Sequence, residues 1–333
     1  MDNGAGSGEQ AMSNSAKMTV RPLVADDLDE VVEIDRQHTG RSRRDFFQRR
    51  IAAALDNPGE FVQVAIADDD DFAAFATARM LSGEFGSTEP AVSLDLIGVD
   101  QAHEGQGMGR RLLSGLIEVT RNKSIKLLQT EANWTNHDLL HFLNASGFTI
   151  GYRQVIERST QERILDDGDD EDEFDETAVG EAPQLAHDRV PVRSLEAADI
   201  EALLAIDRRI TNLDRSDYLR RKAAEALDES AVRVSLVAEI DGFPAGFVMA
   251  RMDFGEHGRS EPAAVMDTIG TDPRYGFRGV GTALLSQLMM NLSALHVDMV
   301  QSTLSSSSFD LLAFLYRCGF QPSSRLAFTK RLD

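Results

Sequence analysis

Residues 97–110 read Ile97-Gly98-Val99-Asp100-Gln101-Ala102-His103-Glu104-Gly105-Gln106-Gly107-Met108-Gly109-Arg110. Residues 269–282 read Ile269-Gly270-Thr271-Asp272-Pro273-Arg274-Tyr275-Gly276-Phe277-Arg278-Gly279-Val280-Gly281-Thr282. Each stretch follows an apolar strand pattern, Ala91–Val99 in the first, and runs into a helical period. That period is carried by Leu112, Leu113, Leu116 and Ile117, and again by Leu284, Leu285, Leu288 and Met289. Glycines at such a junction let several backbone N–H groups converge at a helix N-terminus, where donors and helix dipole together hold a phosphate. A plain tight turn uses the same residues. The dinucleotide fingerprint is not met, because Leu112 and Leu284 stand where its third glycine belongs, and no Gly-Lys-Ser/Thr follows to make a P-loop.

The two stretches belong to a longer repeat. A shift of 172 positions places Val20-Arg21 on Val192-Arg193, Ile34-Asp35-Arg36 on Ile206-Asp207-Arg208, and Ala54-Leu55-Asp56 on Ala226-Leu227-Asp228. It also places Arg79-Met80 on Arg251-Met252, Glu89-Pro90-Ala91 on Glu261-Pro262-Ala263, and Gly147-Phe148 on Gly319-Phe320. No gap is needed from 20 to 153. So long a period indicates a duplicated domain rather than a solenoid. Within one copy the pattern predicts a strand at Met18–Pro22, a helix capped by Asp26 or Asp27, and a helix from Arg43 to Leu55 stopped by Pro58-Gly59. Strands follow at Phe61–Ala67, Phe72–Met80 and Ala91–Val99, then the glycine loop and its helix. A strand at Ile125–Thr130, a helix at Asn136–Ala145 and a final strand from Phe148 complete the copy. Strands outnumber helices, so the class is α/β with a mixed sheet, not a regular doubly wound one.

Length agrees with two domains: 333 residues, 42% hydrophobic and 27% charged. The expected boundaries are a polar tail at 1–17, a first domain at 18–158, an acidic linker at 159–188 and a second domain at 189–333. Between Gln161 and Asp188 twelve acids stand against the single base Arg163, a density that repels itself and stays extended. With 34 basic and 55 acidic residues, net −21, phosphate-backbone binding is not expected, so nucleic acid is no anticipated partner. No apolar run reaches the roughly 18 residues of a membrane span. One cysteine, Cys318, excludes disulfides and multi-cysteine metal sites and suits a reducing cytoplasm.

On these residues the chain resembles the GNAT superfamily of N-acetyltransferases, written twice in tandem. The resemblance rests on the hydrophobic-Val/Thr-Asp strand end, on Gly107-Met108-Gly109 and Gly279-Val280-Gly281, and on the later Gly147-Phe148 and Gly319-Phe320. It covers about 20–157 and 190–331. It implies two acyl-CoA N-acyltransferase folds and acetyl-CoA as donor. The pyrophosphate would lie on the amides of Glu104, Gly105, Gln106, Gly107, Met108, Gly109 and Arg110, or of Gly276, Phe277, Arg278, Gly279, Val280, Gly281 and Thr282. Pantetheine would pair with the strand backbone at Ile97 and Val99, or Ile269 and Thr271, with Asn136 or Ser308 near the donor. The acceptor implied is a primary amine, on a small molecule, a lysine or a protein N-terminus, which attacks the thioester directly. Two departures accompany the match. Glu104 and Gly276 replace the usual Arg or Gln, and Leu143 and Leu315 stand where the usual acid tyrosine belongs, with Tyr316 one residue off.

Asp95 and Asp267 sit mid-strand at equivalent positions and are the expected proton acceptors; fixing a neighbouring loop is their plainer role. Glu84, Glu256, Glu89 and Glu261 precede that strand, as solvated acids or as a seat for a cationic substrate, with Arg79 and Arg251 as ion-pair partners. His137 and His141 lie one turn apart without a third ligand, so no metal is expected. Acyl-CoA binding without turnover, as a sensor or scaffold, is the alternative to the enzyme. Either a monomer or a homodimer suits a tandem pair.

Overall fold

The computed structural model describes residues 18–68, 71–162, 190–229, 234–253, 255–258 and 262–332. The expected tail and residues 163–188 of the expected linker lie outside the described residues. The first half runs β1 (Thr19–Pro22), α1 (Leu28–Thr39), α2 (Arg44–Asp56), β2 (Phe61–Ala67), β3 (Phe72–Leu81), β4 (Ala91–Val99), α3 (Met108–Asn122), β5 (Leu127–Asn133), α4 (His137–Ala145), β6 (Thr149–Ile150) and β7 (Arg153–Ser159). The second repeats it as β8 (Val192–Ser194), α5 (Ile200–Thr211), α6 (Ser216–Ala224), β9 (Leu236–Ile240), β10 (Phe243–Asp253), β11 (Ala263–Thr271), α7 (Val280–Ala294), β12 (Met299–Ser305), α8 (Phe309–Arg317), β13 (Gln321–Pro322) and β14 (Arg325–Arg331). Hydrophobic spacing does most of this. Leu112, Leu113 and Leu116 of α3, and Leu284, Leu285, Leu288 and Met289 of α7, are buried against their sheets.

One local expectation changes. Asp27 does not cap α1 with its side chain; its carboxylate instead takes two bonds from Arg21, at 2.6 and 2.8 Å, and the Val24 amide at 2.8 Å. Asp199 does the same with Arg193 and Glu196 in the second half. The strand-end arginine offers a bidentate, charge-assisted pair that outweighs a single capping bond.

The sheets are not assembled from one half each. Their strand orders are β1-β2-β3-β4-β5-β14-β6 and β13-β7-β12-β11-β10-β9-β8. β7 pairs antiparallel with β12 over seven residues, Arg153 opposite Ser305 through Ser159 opposite Met299. β14 pairs in the same way with β5, Arg325 opposite Asn133 through Arg331 opposite Leu127. The exchange keeps the 172-residue symmetry, since the Thr160 amide donates to the Asp298 carbonyl at 3.0 Å and the Leu332 amide to Lys126 at 2.8 Å. Phe328 and Leu332 therefore lie in the first core, and Ile156 in the second.

Candidate functional site

In each sheet the central parallel pair stays together for only two residues. Val92 and Ser93 face Leu128 and Gln129, and Ala264 and Val265 face Val300 and Gln301. Beyond them β4 and β5, like β11 and β12, diverge. Thr130 Oγ1 donates to the Leu94 carbonyl at 2.8 Å, and Ser302 Oγ to the Met266 carbonyl at 2.9 Å, so a side chain closes the bottom of each gap. The divergence begins at a bulge: Thr77 and Ala78 oppose Leu96 and Leu94, leaving Asp95 without a partner, and Met249 and Ala250 leave Asp267 likewise. Bulges re-aim a side chain and end pairing, which is what both do here. The Asp100 amide bonds the Ala73 carbonyl on β3 and the Asp272 amide that of Ala245 on β10. By the two-residue period of a strand, Ile97, Val99, Ile269 and Thr271 turn their backbone groups toward the gap.

Past the gap comes the glycine loop. Gly105 (φ 73°), Gly107 (φ 80°) and Gly279 (φ 74°) adopt left-handed backbone, and Phe277 takes it at φ 60° in the place of Gly105. Among the described residues the amides of Gly105, Gln106 and Gly107, and of Phe277, Arg278 and Gly279, have no intramolecular acceptor. The next three amides open α3 or α7, where no carbonyl lies one turn back within the helix. Residues 104–107 and 276–279 are exposed, and a side chain at Gly107 or Gly279 would meet nothing within 4 Å, so both loops are open to solvent. Gly109 and Gly281 are small for another reason: a Cβ there would lie 3.2 Å from the Phe142 ring or 2.9 Å from that of Phe314. Two concave rows of donors thus face open space, the arrangement that takes an anion. Glu104 and Arg278 are exposed at the rims. Asn136 spends its Oδ1 on the Leu139 amide at the start of α4 (3.1 Å), and Ser308 precedes α8 without a side-chain cap.

The halves differ beside the gap. In the first, His38 Nε2 lies 2.7 Å from the Val99 carbonyl oxygen, and Gln37 bonds both the Asp100 carboxylate (2.9 Å) and the Gln101 amide (3.1 Å). In the second, Arg209 bonds Asp272 at 2.7 Å and Ile210 lies over Gly270, leaving the Thr271 carbonyl without a side-chain donor among the described residues.

On the far side of both gaps the halves meet in a buried network of charges. The Arg43 guanidinium, paired with Asp35, reaches across to the Gly255 carbonyl at 2.6 Å, and Arg215, paired with Asp207, reaches the Gly83 carbonyl. These contacts seat the loop at 255–258 on the first half and the loop at 83–86 on the second. Glu256, expected as a solvated acid or as a seat for a cationic substrate, is instead buried between Arg79 (2.9 Å), Arg251 (2.8 Å) and Arg50 (3.4 Å). Glu89 stays exposed and pairs with Arg331 at 2.9 Å. Asp95 is buried against Arg50 and Arg79, with Ser93 Oγ donating to it at 2.9 Å. Asp267 lies 3.2 Å from Lys222 and 3.6 Å from Arg251. Burial alone would raise the Asp267 carboxyl, but Lys222 and Arg251 outweigh it and hold it below the usual range.

His257, with φ 53°, enters from the second half to within 3.9 Å of Asp95. Burial, reinforced by Arg325 and Arg79 against the opposing pull of Glu131 and Glu256, pushes its imidazole down to about 3, so it is neutral at pH 7. Asp95, Glu256 and His257 bring one ligand atom each within 4.8 Å, yet Arg50, Arg79 and Arg251 already supply the positive charge there. A metal ion would compete with three fixed cations. His137 and His141 are exposed on α4, Leu143 and Leu315 are buried, and the Tyr316 hydroxyl donates to Gln154 of β7 at 2.8 Å. Sequence reasoning passed over Arg50, Lys222, Glu60, Glu225 and His257. The shift that pairs Arg50 with Lys222 was the available signal, but nothing in it says that two halves converge on one network.

A cavity of about 340 Å³ lies between the halves, walled by α2 and α6 and floored by β3, β10 and Asp267. The family model of the acetyltransferase (GNAT) family matches residues 26–148 and again 199–320. No curated protein matches the sequence. Among solved structures the fold is similar to a GCN5-related N-acetyltransferase from Sphaerobacter thermophilus, at 15% identity and TM-score 0.57, over 95% of this chain and 96% of that one. It is similar to a tandem GNAT protein from the clavulanic acid biosynthesis pathway, at 13% identity and TM-score 0.59, over 95% and 99%. A glucosamine N-acetyltransferase region of a fungal multi-domain β-N-acetylglucosaminidase gives 14% identity and TM-score 0.61 over 94% of this chain and 38% of that one. At these identities the likeness is one of fold.

Proposed function

The chain belongs to the acetyltransferase (GNAT) family in both of its halves, and from that premise we propose that it is an N-acetyltransferase moving acetyl from acetyl-CoA to a primary amine. The observation that carries the reading is the pair of diverging parallel strands, each ending at a row of unspent amides. Such amides suit a diphosphate, and the exposed backbone of Ile97 and Val99, or Ile269 and Thr271, suits an amide-bearing pantetheine arm. Acetyl-CoA supplies an activated thioester carbonyl. The amine's nitrogen attacks that carbon, the C–N bond forms and the C–S bond breaks. Strand amides that point into the gap are the donors for the oxygen as it gains charge.

The two halves do not support the reading equally. Binding in the first requires the His38 ring to leave the Val99 carbonyl and sets a diphosphate beside Glu104. The second offers a free Thr271 carbonyl and Arg278 at the loop, so we assign the working site to the second half. The His38 contact favours a second reading for the first half alone, a silent partner that shapes the interface. Asp95 and Asp267 take a positioning role in this scheme. Lys222 and Arg251 hold the Asp267 carboxyl below its usual range, so it has little affinity for a proton, and the two carboxylates fix Arg50, Arg79, Lys222 and Arg251 where they stand. With its lone cysteine buried, the chain suits a reducing compartment, and we place the reaction in the cytoplasm.

Isothermal titration of the whole chain with acetyl-CoA tests the reading. One tight equivalent is expected, followed by thiol release once a primary amine is added. A flat titration would remove the enzyme and the acyl-CoA sensor together.

A further inference from the structure

We propose that the cavity between the halves is the acceptor site, and that it takes a small primary amine which also carries an oxygen acceptor. In it Glu60 and Glu225, one carboxylate from each half, receive the ammonium. The inference rests on the acetyltransferase reading and adds the acceptor's class and its proton acceptor. At about 340 Å³ the cavity lies at the small end of the roughly 300–1,000 Å³ of small-molecule pockets. Phe46, Phe61, Met80, Met249 and Met252 give it apolar walls, while Asp267 connects its floor to the bulge of β11. Both halves line it, so neither alone contains it.

Its charges are closely matched inside, and at the mouth Glu60 is the loosely paired acid. Glu256, Asp95 and Asp267 hold Arg50, Arg79 and Arg251, and Lys222 lies between Asp267 (3.2 Å) and Glu225 (3.0 Å). Among the described residues Glu60 has only Arg221 as an ion-pair partner, at 3.5 Å, and shares it with Glu225 at 3.8 Å. That single contact is longer than the pairs inside, and a ligand ammonium would give Glu60 a closer cation. Burial, then the neighbouring Glu225, pushes the Glu60 carboxyl above its usual range despite Arg221 and Lys222, which improves it as a proton acceptor. The second polar handle is Arg50. Its side chain is nine-tenths buried in the cavity wall, and its Nε finds no hydrogen-bond acceptor among the described residues. A buried donor left unmade is costly, and an oxygen on the ligand satisfies it.

In the reaction Glu60 takes one proton from the ammonium and passes it to solvent. The freed amine forms the C–N bond as the C–S bond breaks, and a second N–H proton goes to the departing sulfur. Arg221, Lys222 and Glu225 from the α6 side, Arg49 and Arg50 from α2, and Arg79, Arg251, Asp253, Glu256 and Asp267 on the floor are the charged groups that line the cavity with Glu60.

The test uses the whole chain, with 4-aminobutanoate and n-butylamine as probes. Acetyl-CoA affinity is read by titration and transfer by thiol release. The unaltered protein is expected to prefer 4-aminobutanoate, because only it offers oxygen to Arg50. Ala53→Trp fills the cavity without removing a charge and is expected to keep acetyl-CoA affinity while losing about tenfold or more in kcat/KM for either amine. Glu60→Gln is expected to lose about a hundredfold in kcat and the acid limb of the pH–rate profile, since Glu60 must be ionised to act. Normal transfer by either variant overturns the proposal, as does loss of acetyl-CoA affinity in Ala53→Trp. No release with either amine, or a preference for n-butylamine, overturns it too, while retained acetyl-CoA binding would leave the family reading standing.

Discussion

The two glycine loops start from nearly the same backbone and face different surroundings. In the first half a side chain of α1 reaches the strand carbonyl that borders the gap, because position 38 is a histidine. In the second the equivalent position is Ile210, which packs over Gly270 and makes no such bond. Across the interface the difference is reversed: the loop that faces the second half carries Phe85, packed into the second core, and the loop that faces the first carries the neutral His257. Duplication kept the fold and let a single residue, His38 against Ile210, decide which strand carbonyl is taken by a side chain.

The largest way to break the comparison is to separate its members. Expressed alone, 1–162 has β7 without β12, and its core lacks Phe328 and Leu332. It is expected to be aggregated or unfolded by circular dichroism, and recovery as a stable pair with 163–333 when the two are produced together would agree with the strand exchange. A well-folded monomeric half would show that the exchange is dispensable.

Next in size is the loop glycine. Gly279→Val forces a β-branched residue to φ 74° at the mouth of the second gap. We expect acetyl-CoA affinity to fall about a hundredfold, comparable to losing two charge-assisted hydrogen bonds, whereas Gly107→Val leaves it nearly unchanged. Equal losses would make the copies equivalent.

A smaller effect concerns stability. His257 is neutral in the folded chain down to about pH 3, while the unfolded chain protonates it near 6.5. The unfolded state therefore binds more protons between these values, and stability falls as pH drops below 6.5, by about 1.4 kcal/mol per unit from this group. His257→Phe, which installs the residue of the opposite loop, should flatten urea midpoints over that window; an unchanged slope would mean that the imidazole is not desolvated. Smallest is His38→Ala. Freeing the Val99 carbonyl is expected to add a second, weaker equivalent of acetyl-CoA, read from titration stoichiometry.

Local patterning makes most elements legible: β4 is expected at Ala91–Val99 and observed there, and α2 and β3 differ from expectation by a residue or so. Helix and strand periods depend on neighbours a few positions apart, so a chain written twice reports them twice. The expected Asp27 cap does not form because its competitor, Arg21, is a strand residue whose reach depends on the turn between them. Asp95 and Asp267 were legible as polar residues in apolar strands, but their partners Arg50, Lys222 and Arg251 meet them only through packing.

The sequence by itself determined the duplication, the element order within each copy and the two glycine loops, all of which are encoded in spacings along one chain. The tertiary structure decided that β7 and β14 trade sheets, that Glu256 and His257 are buried beside Arg79 and Asp95, and that both halves line one cavity. Those facts concern residues more than a hundred positions apart. What brings them together is the burial of complementary edges and charges, which no local period records.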